Sequence, residues 1–178
     1  MSKSARQRNQ RIFNRIVLVT ILVITVIITA IAFSRHTYVV LPSYLDRCIP
    51  LTGPFVYDSV PQLRIDINGA NMTIPANIGI VGNCVRPIHT FTATGAIHID
   101  TDVDRTYTLG DFFLVWGNTF GTQYSTFSRN QIFGFRTDSN HTISMVVNNQ
   151  TDTTDFENLV FPKNANSTFP FQVAIVYR

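Results

Sequence analysis

Residues 16–33 form an unbroken, uncharged apolar run, IVLVTILVITVIITAIAF. Eighteen residues at about 1.5 Å per residue reach roughly 27 Å, enough for the hydrocarbon core of a bilayer. The run predicts a transmembrane helix whose threonine hydroxyls bond back to helix carbonyls. No later stretch repeats this pattern. Leu63-Arg64-Ile65-Asp66-Ile67 alternates apolar with charged positions, as a strand with one buried face does. Asn68-Gly69 follows and favours a type I′ hairpin turn. Ala70, Met72 and Ile74 continue the buried face, while Asn71 and Thr73 point to solvent. Pro75 ends the ladder.

Residues 88–100 predict a second hairpin around Thr94-Gly95. Thr108 and Asp111 then resemble a capping box ahead of Phe112, Phe113, Val115 and Trp116, with Gly117 as the C′ residue. A short, largely buried helix is expected there, with Trp116 in the core. Residues 117–128 read as a loop. Candidate strands follow at 131–136, 143–147, 156–161 and 169–177, with His141 in a turn and 148–155 as a polar loop. The order predicts an α+β, mostly antiparallel domain: a β-grasp-like sheet on one helix, or alternatively a β-sandwich.

Charge divides the chain. Five basic residues and no acid lie in residues 1–15, leaving nine basic against eleven acidic residues elsewhere. The basic character therefore belongs to the tail and gives the folded part no electrostatic footprint for nucleic acid. Only Arg35 and His36 closely follow the apolar run, so the positive-inside rule puts the N-terminus in the cytoplasm and the rest outside. A cleaved signal peptide ending near Ala30-Ile31-Ala32 is the competing reading, against which the length of the run weighs. The expected organisation is a basic cytoplasmic tail (1–15), a transmembrane helix (16–33), a connector (34–61) and an extracytoplasmic β-rich domain (62–178). The connector is proline- and aromatic-rich, and part of it is expected to pack on the domain. Outside the cell Cys48 and Cys84, the two cysteines of the chain, favour a disulfide worth about 3–4 kcal/mol if unstrained. Asn71, Asn140, Asn149 and Asn166 are glycosylation candidates.

Enzyme signatures are missing: the chain has no Gly-x-Ser-x-Gly, His-Glu-x-x-His, phosphate loop or dinucleotide fingerprint. No catalytic residue is assigned and no enzymatic activity is expected. Asp102 and Asp104 read as a solvated turn, since Ca²⁺ needs more oxygen ligands. One constellation remains, Cys84, His89 and His98. The Cys84-x4-His89 spacing suits a copper loop, but the downstream Met ligand is missing and a disulfide sulfur is no thiolate ligand. The histidines meet only in some hairpin registers. Pairing Ala93 with Ala96 sets Phe91 opposite His98 and His89 opposite Asp100, on one face, where two histidines and an aspartate could hold a metal, surface histidines being the plainer reading. A loop one residue longer sets Phe91 opposite Ile97 and divides the histidines between faces.

Leu63-x-Ile-x-Ile-Asn-Gly, Ile74-Pro-Ala-Asn-Ile-Gly-Ile, Cys84, Ile88-His-Thr, Thr94-Gly-x-Ile-His98 and Thr106-Tyr-Thr-Leu-Gly-Asp-Phe-Phe-x-x-Trp-Gly117 together resemble a family of small exported archaeal and bacterial proteins, mostly uncharacterised, with an N-terminal membrane segment. Ser144-Met-Val-Val-Asn-Asn, Phe156-Glu-Asn-Leu-Val and Val173-Ala-Ile-Val-Tyr fit the same pattern, so the resemblance covers about residues 58–177. It implies a metal or proton site made by a His-x-His pair ahead of the first strand and a His-Thr-His-Asp run in the second hairpin. This chain has Asp58 and Val60 at the pair and His89-Thr90-Phe91-Thr92 at the run. The implied member keeps the scaffold and loses the site or uses it for contacts.

The expected function is a single-pass membrane protein whose outer domain has a binding or structural role, as an accessory part of a membrane or envelope assembly. Its partners would be the lipid bilayer and other membrane proteins, with no nucleic acid and no cofactor. The alternative is a copper- or zinc-binding protein using His89 and His98, with Cys84 or Asp58 as further ligands. A hydrolase has no supporting feature.

Overall fold

The computed structural model describes residues 16–26, 39–50 and 52–178. The chain divides into two compact units, Met1–His36 and Thr37–Arg178. In the first, residues 16–26 are helical with exposed side chains. Thr20 Oγ1 donates to Ile16 O at 2.9 Å and Thr25 Oγ1 to Leu22 O at 2.8 Å, the expected back-bonding. Among the described residues no helix is long and apolar enough to cross a membrane. The expected tail at 1–15 and the rest of the expected span, 27–33, lie outside the described residues.

The second unit is mixed α+β with mostly antiparallel sheets. Strands β1 (Tyr57–Ser59), β2 (Gln62–Ile67), β3 (Ala70–Met72), β4 (Ile80–Val81), β5 (Cys84–Val85), β6 (Ile88–His89) and β7 (His98–Thr101) precede one helix, Leu109–Phe120. After it come β8 (Phe127–Ser128), β9 (Gln131–Ile132), β10 (Phe135–Arg136), β11 (Ile143–Val147), β12 (Gln150–Asp152) and β13 (Gln172–Tyr177). The largest sheet has the order β12-β11-β13-β2-β3. Its central pair, β2 and β13, is parallel, and each is flanked by antiparallel neighbours. The Asn68-Gly69 hairpin forms as expected, with φ 53° and 83°. Asn148 and Asn149 make a second such turn (φ 49° and 67°), so the expected polar loop at 148–155 is partly the hairpin β11–β12.

The helix starts as its sequence predicts. Thr108 Oγ1 accepts from Asp111 N, and Asp111 Oδ2 accepts from Thr108 N, closing the capping box. It does not stop at Gly117. The helix runs one turn further to Phe120, and Gly121 (φ 115°) ends it. Gly117 serves close packing instead: a Cβ there would lie 2.8 Å from Ser125 N and Cα. The span 117–128 is therefore not a loop but a last helical turn, a 3₁₀ turn at Thr122–Tyr124 and β8. Phe156–Asn158 is likewise a 3₁₀ turn rather than a strand. Residues 131–136 fold as the short hairpin β9–β10.

One apolar cluster joins the helix to the large sheet through Leu63, Ile65, Met145 and Ile175, with Phe113 and Trp116 stacked among Phe127, Phe133 and Tyr124. Trp116 is fully buried. Two details depart from simple alternation. Ala70 is exposed, and Asp66 is buried with Arg64 Nη2 3.3 Å away. Part of the connector packs on the domain: Leu41, Leu45 and Ile49 are buried, and Tyr44 donates to Asp111 Oδ1 at 2.7 Å. Burial and the Asp111 carboxylate push the Tyr44 phenol up to about 12. Cys48 and Cys84 form the expected disulfide, with Cα atoms 5.0 Å apart. The four sequon asparagines are exposed.

Candidate metal centre

The site stands on the smaller sheet β1-β7-β6, all antiparallel. Side chains alternate across a strand, so each strand has an inner and an outer set. Tyr57, Ser59, Ile88, Ile99 and Thr101 are buried on the inner face. The opposite face carries Asp58 from β1, His98 and Asp100 from β7, and His89 from β6.

The register differs from both sequence alternatives. His89 pairs directly with His98, and Ile88 with Ile99. The segment after Thr90 has other partners. Thr90 N donates to Ile78 O, Gly95 O accepts from Leu63 N, Ile97 N donates to Pro61 O, and Ala96 bridges Gln62. The backbone that would have closed a tight Thr94-Gly95 hairpin is thus bound to β2 and to the segment ahead of β4. Glycine is required at both approaches. A Cβ on Gly95 would lie 2.2 Å from Leu63 O, and one on Gly79 would lie 2.2 Å from Ile88 O.

This register keeps both histidines on one face. Their rings stack at 5.5 Å between centroids, and Phe91 meets them edge-on at 4.6 and 4.9 Å. Phe91 is 45 % exposed and covers the imidazoles from solvent; His89 is 1 % exposed. One ligand atom each from His89, His98 and Asp100 lies within 4.8 Å of the other two.

The proton arrangement is specific. His89 Nδ1 lies 2.9 Å from Arg86 O, and since a carbonyl only accepts, Nδ1 carries the proton. Nε2 then presents a lone pair. It is buried without a hydrogen-bond partner among the described residues, and Asp100 Oδ2 lies 3.7 Å from it. Burial pulls the His89 imidazolium down to about 4, outweighing the Arg86 carbonyl bond that opposes it. Burial, reinforced by the Asp58 charge, pushes the Asp100 carboxyl up to about 6. Burial also lowers His98, against the pull of Asp58. At neutral pH the 3.7 Å contact is therefore not an ion pair: a neutral imidazole lone pair faces a carboxylate. A cation between them satisfies both.

Arg86 is held in place from two sides. Its N–H donates to Gly79 O at 2.9 Å, and its Nη2 pairs with Asp46 at 2.9 Å. The disulfide lies two residues before it. Among the residues expected to form a site, the structure brings together His89 and His98 and removes Cys84, whose sulfur is bonded to Cys48. A thiolate copper ligand at Cys84 is thereby corrected. Asp100, which one of the sequence alternatives placed on the histidines' face, joins them. Its i, i+2 spacing from His98 on a strand was the signal for it. No family model, no curated protein and no solved structure matches the chain.

Proposed function

We propose that this chain is a single-pass membrane-anchored protein whose domain outside the membrane binds one divalent transition metal at His89, His98 and Asp100. The observation that carries the metal reading is the buried, partnerless Nε2 of His89, facing Asp100 Oδ2 at 3.7 Å. Two imidazoles and a carboxylate suit Zn²⁺ or Cu²⁺, while Cu⁺ prefers the sulfur ligands that this set lacks. The Arg86 carbonyl plays the outer-partner role that orients a metal-bound histidine and fixes its tautomer. The anchor rests on the apolar run at 16–33 and the basic residues ahead of it. Such a domain would serve as an accessory part of a membrane or envelope assembly.

The sheet order supports the β-grasp-like reading over the sandwich. The first and last strands of the large sheet are its parallel centre, with β3 on one side, the hairpin β11–β12 on the other, and the helix between them in sequence.

Elemental analysis of the full chain, purified in detergent without chelators, tests the metal reading. The expected result is about one zinc or copper per chain, lost on His89→Ala plus His98→Ala while near-ultraviolet circular dichroism still reports a packed core. Metal-free wild-type protein that also fails to take up added Zn²⁺ or Cu²⁺ sinks the proposal.

A further inference from the structure

The face that carries the cluster holds one more carboxylate. Asp58 of β1 lies directly opposite Asp100 of β7. Its neighbours are fixed toward the other side: Tyr57 donates its hydroxyl to Phe161 O, and Ser59 donates to Pro162 O at 2.6 Å. Asp58 therefore projects with His98 and Asp100, and its charge acts on both. Directly opposed residues on antiparallel strands have Cβ atoms about 4.5–5.5 Å apart, and like charges so placed are destabilising.

Four other aspartates of the domain are each paired with an arginine or lysine. Asp46 pairs with Arg86, Asp66 with Arg64, Asp102 with Arg47 and Asp104 with Lys163. Among the described residues no Lys or Arg pairs with Asp58 or Asp100. Two carboxylates thus stand opposed beside two imidazoles, with the His89 lone pair aimed into the group.

We infer that Asp58 is the fourth protein ligand of the metal, and that with Asp100 it makes the site selective for a dication. The inference rests on the metal reading above. Two carboxylates balance the charge of M²⁺ and leave a monocation overbalanced. The two nitrogen donors disfavour Ca²⁺ and Mg²⁺, which take oxygen. Asp58 is also the exposed member, so the metal enters from its side rather than past Phe91.

Zn²⁺ titration of the metal-stripped full chain against a chromophoric chelator tests this, comparing wild type with Asp58→Asn and Asp58→Glu. Asp58→Asn should weaken Zn²⁺ binding by about 10-fold or more, at least the loss that follows removal of a ligand's outer partner. Asp58→Glu should recover most of it. Without metal, Asp58→Asn should melt at a higher temperature than wild type, because the opposed charges are gone. A purely structural Asp58 would give the opposite shift. If Asp58→Asn binds Zn²⁺ as tightly as wild type, Asp58 is no ligand and the three-residue site stands alone. If wild type binds no Zn²⁺ or Cu²⁺, both readings fall together.

Discussion

The chemistry of the site turns on two groups whose charged forms burial disfavours. His89 is held down to about 4 and Asp100 up to about 6, so their contributions to stability oppose each other. Between pH 4 and 6.5 the unfolded chain binds more protons at His89 than the folded one, and stability falls as pH drops. Asp100 does the reverse: from pH 4 to 6 the folded chain holds the extra proton, and stability falls as pH rises. Asp100→Asn separates them. Without metal, the variant should match wild type near pH 4 and exceed it at pH 7 by an amount on the order of 1–3 kcal/mol. Urea unfolding at several pH values checks this. A variant less stable than wild type at pH 7 would mean that Asp100 has a compensating partner the geometry does not contain. None of this could be read from residue types alone. Burial of one histidine under Phe91, and its tautomer from Arg86 O, are tertiary facts.

At the scale of elements, the helix tests the difference between propensity and packing. Gly117→Ala improves intrinsic helix propensity by about 1 kcal/mol. It also drives a methyl group into the backbone of Ser125. Overpacking typically costs about 1–3 kcal/mol, so the variant should be neutral to destabilised by roughly 2 kcal/mol in chemical denaturation. A clear gain would contradict the tight approach. The disulfide has its own test. Cys48→Ser plus Cys84→Ser should lower stability by about 2–4 kcal/mol, and unchanged stability would show that the connector's other contacts, among them buried Leu41, Leu45 and Ile49, hold it without the disulfide. Local signals were legible where the chain closes on itself over a few residues. Thr108 with Asp111 gave the capping box, and Asn68-Gly69 gave the hairpin. The signals misled where a distant segment competes. Gly117 reads as a terminator because Ser125 is invisible to a local pattern. The Thr94-Gly95 turn reads as a tight hairpin because Leu63 and Pro61, far away in sequence, take its hydrogen bonds.

For the whole molecule, we propose an N-terminal anchor followed by a domain that is completed by metal. The pairing Cys48–Cys84 followed from the expectation of export and from the presence of two cysteines. The sharing of one face by His89 and His98 did not follow, because it depended on a register that the sequence left open. A ligand that binds only the folded state stabilises it by mass action, about 2.7 kcal/mol at a free concentration 100 times its Kd. Zn²⁺ should therefore raise the thermal midpoint of wild type and leave His98→Ala unmoved. Equal shifts in both would locate binding elsewhere. The most direct measurement is X-ray absorption at the zinc edge of the zinc-loaded full chain. Two imidazole nitrogens and carboxylate oxygens at about 2.0–2.2 Å, with no sulfur, are expected. A sulfur shell, or a shell of oxygens without imidazole scattering, would contradict this.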